Sequence, residues 1–133
     1  MIATGHAIHI PATSSVLDTV RPLLRLEGLA VFVAGLIAYD RLGGDWLWLL
    51  PALLLPDLSA IGYLAGTSVG SLTYNLVHNW ALGLVVLGAG LWSGIAWVAL
   101  AGVVLIAHVG MDRVAGYGLK HPGSFKDTHM QRA

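Results

Sequence analysis

Long apolar stretches separated by short polar breaks run through most of the chain. Four of them have the length of about 20 residues that a helix needs to cross a bilayer. They cover residues 23–39, 46–64, 71–92 and 95–114. Polar or glycine-containing breaks follow at 40–45, 66–70, 93–94 and 116–118. The pattern predicts an all-α fold, a four-helix transmembrane bundle at residues 21–119 with both termini on the same side.

Basic residues are distributed unevenly between the two ends of this predicted bundle. With an even number of spans, one end carries Arg21, Arg25, Arg113, Lys120, Lys126 and Arg132. The opposite end carries only Arg41. The positive-inside rule then predicts a multi-pass protein of the inner (plasma) membrane with cytoplasmic N- and C-termini. Residues 1–20 become an N-terminal tail or interfacial segment, and residues 120–133 become a polar basic tail.

The composition agrees with a membrane protein and limits the chemistry available to it. The chain is 56% hydrophobic and 11% charged, whereas charged residues make up about 25% of a soluble domain. Seven basic residues balance seven acidic ones, so no net field attracts nucleic acid. The expected partner is the lipid bilayer, with a second copy of the chain, in a homo-oligomer, as a further candidate. Because cysteine is absent, any metal is held by histidine and carboxylate, which suits zinc, iron or manganese.

Five ionisable residues of the predicted spans fall at similar depth. They are Glu27, Asp57, His78, His108 and Asp112. Counting from the helix ends at about 1.5 Å per residue, and reversing direction in alternate helices, places all five in the cytoplasmic half. Each costs on the order of 2.5 kcal/mol or more at membrane depth unless it faces protein, a partner or water. Their segregation predicts one shared polar site.

Two histidines and two aspartates of this set form a candidate metal site. His108 and Asp112 are four residues apart and share one helix face. Asp57 follows Pro56, which removes a backbone donor and predicts a bend in the second helix beside a wet pocket. Together with His78, these residues supply the ligand types that hold a divalent cation. The predicted metal ligands are Asp57, His78, His108 and Asp112.

Further polar residues are expected to orient these ligands. Asn75, His78 and Asn79 stand at i, i+3 and i+4, so a continuous third helix would place them on a single face. Tyr63 lies on the second helix, six residues after Asp57. We expect Asn75, Asn79 and Tyr63 to support the imidazoles and carboxylates, as the groups around metal ligands do.

The polar C-terminal tail begins next to the predicted site. Arg113, Lys120 and Lys126 are expected at its mouth, where they would bind a phosphate or carboxylate. Attraction of these cations to anionic lipid headgroups is the alternative. His129 of the tail and Glu27 of the first helix are the predicted catalytic acid–base groups.

The chain from residue 23 onward resembles a family of short bacterial four-helix membrane proteins catalogued as a domain of unknown function. The resemblance rests on Leu24-Arg25-Leu26-Glu27-Gly28, Pro56-Asp57-Leu58-Ser59 with Gly62-Tyr63, Tyr74-Asn75 with His78, His108-Val109-Gly110-Met111-Asp112-Arg113, Gly116-Tyr117-Gly118-Leu119-Lys120 and Phe125-Lys126-Asp127-Thr128-His129. It implies the same helical fold and no particular activity.

A looser likeness connects the chain to membrane-bound metal-dependent hydrolases. In that pattern a Pro-Asp-x-Asp segment, a histidine segment and a His-x-x-x-Asp segment surround a metal. Pro56-Asp57, His78 and His108-x-x-x-Asp112 occur here in that order, with Ser59 in place of the second aspartate. This likeness implies metal-dependent hydrolysis.

The sequence supports several functions. A divalent metal at the His/Asp site would activate water and hydrolyse an amphipathic or phosphorylated substrate. His78 and His108 on adjacent helices would alternatively hold a b-type haem. Asp57 beside a broken helix is also compatible with a proton or ion carrier. The remaining interpretation is a structural polar cluster that fixes helix register.

Overall fold

The computed structural model describes residues 14–120 and Met130, with side chains from Thr19 onward. This part of the chain is helical and contains no strand, which confirms the all-α prediction. The helices are α1 (Ser14–Arg41), α2 (Trp46–Leu54), α3 (Thr67–Val77), α4 (Trp80–Ser93) and α5 (Ala96–Ala115). A 3₁₀ segment, Leu55–Ala65, continues α2.

Several of these elements are long and apolar enough to cross a membrane. Three spans qualify on their own: Thr19–Arg41, Trp46–Ala65 and Ala96–Ala115. The pair α3 and α4, which are bent by 42° at the short break between them, adds a fourth span if the two are counted as one. Large apolar side chains such as Leu47, Leu64 and Trp92 are exposed on the outside. Such a surface is typical of a protein solvated by lipid, where apolar side chains lose nothing by facing outward.

Helix α5 lies at the centre and packs against both α1 and α4 through small residues. A Cβ added to Gly28 of α1 would meet the backbone of Gly110 in α5, and one added to Gly35 would meet Ala107. Since higher numbers on α1 meet lower numbers on α5, the two helices are antiparallel. Small residues let backbones approach closely where lipid gives no hydrophobic driving force between helices. This packing buries the α5 face that carries His108.

The second span changes its winding beside the predicted site. It is α-helical to Leu54 and then a 3₁₀ helix, with Pro56 in the first turn of the new segment. Proline has no backbone N–H and therefore cannot continue the α-helical hydrogen-bond ladder. Runs of 3₁₀ helix beyond three or four residues are uncommon and often mark a functional hinge or strained sequence. The irregularity expected beside Asp57 is present, as a change of helix type.

The third span differs from the continuous helix that its apolar pattern predicts. Helix α3 ends at Val77, and the side chain of Asn79 accepts a hydrogen bond from the N–H of Leu82, so Asn79 caps the start of α4. The single polar face expected for Asn75, His78 and Asn79 was therefore wrong. An asparagine that accepts an N–H in this way favours a helix start over a helix interior, and the break directs His78 into the bundle.

Two glycines make the turns next to the site possible. Gly66, between the 3₁₀ segment and α3, has φ +117°, and Gly116, after α5, has φ +91°. These values are rarely adopted by residues with a Cβ. The turn at Gly66 folds α3 back against the 3₁₀ segment. The turn at Gly116 leads the chain from Asp112 to Lys120.

Candidate metal centre

Four side chains from three parts of the fold meet at one point inside the bundle. Asp57 comes from the 3₁₀ segment, His78 from the break after α3, and His108 and Asp112 from α5. One ligand atom from each lies within 4.8 Å of the others, and this is the group predicted from the sequence. The side chains of the two histidines are 3% and 0% exposed, and those of Asp112 and Asp57 are 15% and 53% exposed.

The spacing of the four ligand atoms matches a small coordination sphere. The Nε2 atoms of His78 and His108 are 2.9 Å apart. Asp57 Oδ1 is 3.3 Å from each Nε2, and Asp112 Oδ2 is 3.7 Å from His78 Nε2 and 3.4 Å from His108 Nε2. A tetrahedral ion with bonds of about 2.0–2.2 Å would have ligand atoms about 3.3–3.6 Å apart. Three of these five distances lie in that range, and the four residues are close enough to hold a single ion.

Both imidazoles are held so that Nε2 faces this point. Nδ1 of His78 lies 2.9 Å from the carbonyl oxygen of Tyr74, and Nδ1 of His108 bonds the carbonyl oxygen of Leu53. A carbonyl only accepts hydrogen bonds, so each Nδ1 carries the proton and donates it. In the neutral rings both Nε2 atoms then present lone pairs, as metal-ligating histidines do.

The carbonyl of Leu53 is available to His108 because of the proline that follows. In a 3₁₀ helix the N–H that reaches this carbonyl comes three residues later, and that residue is Pro56, which has no N–H. Ala52, one residue earlier, keeps its bond from the N–H of Leu55. Pro56 thus leaves the Leu53 carbonyl free to orient His108, and the next residue, Asp57, supplies a candidate ligand.

Tyr74 belongs to the site, although it was not among the predicted site residues. Its ring stacks on that of His78 with centroids 3.6 Å apart, and its hydroxyl donates a 3.2 Å hydrogen bond to Asp112 Oδ2. One tyrosine therefore positions a histidine and a carboxylate. Its place one helical turn before His78 is the signal that could have identified it.

A cavity of about 290 Å³ opens beside the four ligands. Its walls include both carboxylates of the group, together with Tyr74, Tyr117 and Lys120. The ammonium of Lys120 lies 4.8 Å from the centroid of the Tyr74 ring and 5.3 Å from that of Tyr117, within range of cation–π attraction. Burial lowers the pKa of Lys120, and the negative charges of Asp112 and Asp57 oppose this effect.

Asn75 fixes the backbone of Lys120 from α3. Its side-chain amide donates to the carbonyl of Lys120 at 2.7 Å and accepts from the N–H of Lys120 at 2.6 Å. These two bonds tie the chain after the Gly116 turn to the helix that leads into His78. The predicted supporting role of Asn75 thus takes the form of a clamp on Lys120.

Asn75→Ala is expected to lower the free energy of unfolding by about 1–3 kcal/mol, because it removes two hydrogen bonds from buried backbone groups. Thermal unfolding in detergent measures the loss. Leu76→Ala is the matched control, since the side chain of Leu76 is 58% exposed. Equal unfolding midpoints for the two variants would contradict the clamp.

The other predicted site residues lie elsewhere among the described residues or outside them. Glu27 is exposed and lines a separate groove with Trp80 and Leu84, so the structure does not bring it to the four ligands. Arg113 is buried, with its guanidinium 6.0 Å from the Trp80 ring and Nη1 donating to the Tyr117 carbonyl.

Two residues that were expected to support the ligands, Tyr63 and Asn79, make other contacts in the structure. Tyr63 packs against Gly70 of α3, and Asn79 caps α4. Lys126 and His129 lie outside the described residues, and their predicted roles stay predictions.

Together these features define a helical membrane protein with a group of two histidines and two aspartates among its spans. Residues 21–133 match the family described as Domain of unknown function (DUF4260), and the chain belongs to this family. That match confirms the resemblance found in the sequence. No curated protein and no solved structure shows a significant match to the chain. The family description assigns no activity, so function is argued from the site.

Proposed function

We propose that this protein binds one divalent metal ion through Asp57, His78, His108 and Asp112 and uses it to hydrolyse an amphipathic substrate that enters from the membrane. The convergence of the two Nε2 atoms and two carboxylates on one point carries this proposal. The two Nε2 atoms lie 2.9 Å apart, and each carboxylate oxygen lies 3.3–3.7 Å from them. When both Nε2 atoms are unprotonated, these electron-pair donors repel one another unless a cation lies between them. The two Nδ1–H···O=C bonds keep both histidines in the orientation that a metal requires.

The spacing favours a single small ion over a haem. A haem held by two axial histidines needs their nitrogens on opposite faces of the porphyrin. Here the two Nε2 atoms are 2.9 Å apart and face the same point as two carboxylates. Tetrahedral ligand spacing and a His₂Asp₂ donor set are most typical of zinc, while iron and manganese accept the same donors.

Asp57 is the ligand best placed to give the ion an open position. Its side chain is 53% exposed and lines the cavity, whereas the two histidines are buried. Catalytic zinc sites keep three protein ligands and one site for water or substrate. A bound divalent ion lowers the pKa of its water to about 7. If water displaces Asp57 from the ion, the released carboxylate can act as the base at the cavity, in the role that the sequence assigned to Glu27.

A metal held by these residues would supply an activated water for hydrolysis of an ester bond. Asp57 would accept the proton of that water and return it to the leaving oxygen as the ester bond breaks. Arg21 and Arg25 at the start of α1 line a pocket together with Gly116, so the start of α1 and the turn that leads to Lys120 lie at the same end of the bundle. In the proposed orientation this end, and the cavity with it, is cytoplasmic.

Metal analysis of protein purified without a histidine tag tests the proposal, with one ion per chain as the expected result. Removing the ion with a chelator should lower the unfolding temperature, because a ligand at 100 times its Kd stabilises the folded state by about 2.7 kcal/mol. Asp57→Asn should bind the metal more weakly. Glu27→Gln is the matched control, because Glu27 is an exposed carboxylate outside the ligand group, and it should bind normally. Folded protein that neither contains nor takes up a divalent metal would refute the proposal.

A further inference from the structure

We propose that the cavity beside the four ligands binds a phosphate group, with Lys120 as the residue that recognises it. This inference rests on the proposed metal function and names the substrate class of the same site. The first observation is that Lys120, a cationic residue, is buried. The side chain of Lys120 is only 4% exposed although it lies outside the spans, and it lines the cavity together with Asp57 and Asp112.

The charges at the cavity call for an anion once a metal is bound. With a metal bound, a divalent cation and the Lys120 ammonium border the same cavity. Both attract an anion. An oxyanion that spans the ion and the Lys120 ammonium satisfies both, since phosphate oxygens bind metal ions and form strong charge-assisted hydrogen bonds with lysine.

The position of Lys120 is fixed in a way that suits binding. Asn75 holds its backbone through two hydrogen bonds of 2.6 and 2.7 Å, and the rings of Tyr74 and Tyr117 flank its ammonium. Tyr74 also contacts His78 and Asp112. The same small set of residues therefore sets the distance between the ammonium and the metal ligands, and little side-chain freedom is left to lose on binding.

The volume of the cavity limits what enters it. A cavity of about 290 Å³ corresponds to roughly ten times the volume of one water in the liquid, about 30 Å³. It holds a phosphate and the few atoms bonded to it, while the rest of an amphipathic molecule remains outside in the lipid. The group that enters is the phosphate of a phosphoester, supplied either by a lipid headgroup or by a soluble molecule.

The test uses the full chain loaded with Co²⁺, whose visible spectrum reports changes at the metal. Titration with inorganic phosphate should give a saturable spectral change, and acetate should bind more weakly. Lys120→Met should weaken phosphate binding about 10- to 100-fold, which is the usual range for a lost hydrogen bond between charged groups. Its Co²⁺ affinity should stay within a few-fold of the natural protein. Lys120→Arg, which keeps the charge, should lose less than Lys120→Met.

Arg41→Met is the control, because Arg41 is an exposed cation at the end of α1 remote from Gly116, and phosphate binding should not change. Titration with a short-chain phosphatidic acid distinguishes the two sources: tighter binding than that of inorganic phosphate supports a lipid headgroup, and equal binding supports a soluble phosphoester. Unchanged phosphate binding in Lys120→Met, or acetate binding as tight as phosphate binding, would overturn the inference. Failure of the natural protein to bind Co²⁺ would refute the metal function itself.

Discussion

His108→Ala is expected to abolish metal binding at the concentrations at which the natural protein is saturated. The substitution removes a proposed ligand whose side chain is completely buried and whose Nε2 faces the other three candidate ligand atoms. The loss should exceed about 100-fold in metal affinity, because removing even an outer partner of a ligand costs about 10- to 100-fold. Equilibrium dialysis against Zn²⁺, followed by elemental analysis of the protein, measures it.

The variant also leaves a cavity in α5, so the effect on the metal must be separated from an effect on folding. Val109→Ala is the matched control, since Val109 is the next residue of the same helix, is 1% exposed and is not among the four ligands. It should lose stability and still bind one ion per chain. With chelator present, both variants should unfold below the natural protein, and added Zn²⁺ should stabilise only Val109→Ala. Stoichiometric metal in His108→Ala would contradict the assignment of this residue.

The sequence was sufficient to predict that these four side chains meet, because their positions follow from helix length and spacing. His108 and Asp112 share a face in any α-helix, and residue counts from the polar breaks place Asp57 and His78 at the same depth. The prediction is reliable in a membrane-spanning helix, because a charged or polar side chain there is costly unless it contacts protein, a partner or water. The grouping was therefore predictable before any contact was known.

The prediction that Glu27 joins the shared polar site was wrong, because depth along a helix does not give direction around it. Consecutive residues of a helix point about 100° apart, and α1 turns Gly28 and Gly35 toward α5. Glu27 is thereby exposed outside that contact. The spacing of seven residues between Gly28 and Gly35 is a packing signal in the sequence, and it would have excluded Glu27 from the buried face.

The break before α4 was missed for a different reason. The apolar pattern continues from α3 into α4, so hydrophobicity alone predicts one helix. The decisive feature is local: Asn79 caps the second helix with its side chain, and the backbone of His78 leaves the helical region at φ −95° and ψ 37°. The side chain of asparagine competes with the helix for backbone hydrogen bonds. Because the helix breaks at this point, the side chain of His78 points in a direction that it would not have in a straight helix.

Gly102→Ala is expected to lower the free energy of unfolding by about 1–3 kcal/mol, the usual cost of overpacking a close contact. A Cβ at Gly102 would overlap the backbone nitrogen and Cα of Leu87, so α4 and α5 would have to separate. Gly88→Ala provides the matched comparison, because nothing lies within 4 Å of a Cβ at Gly88 and alanine is the better helix former by about 1 kcal/mol. That variant should be at least as stable as the natural protein. Denaturation in mixed micelles measures both, and equal stability of the two variants would show that α4 and α5 do not approach each other this closely at the centre of the bundle.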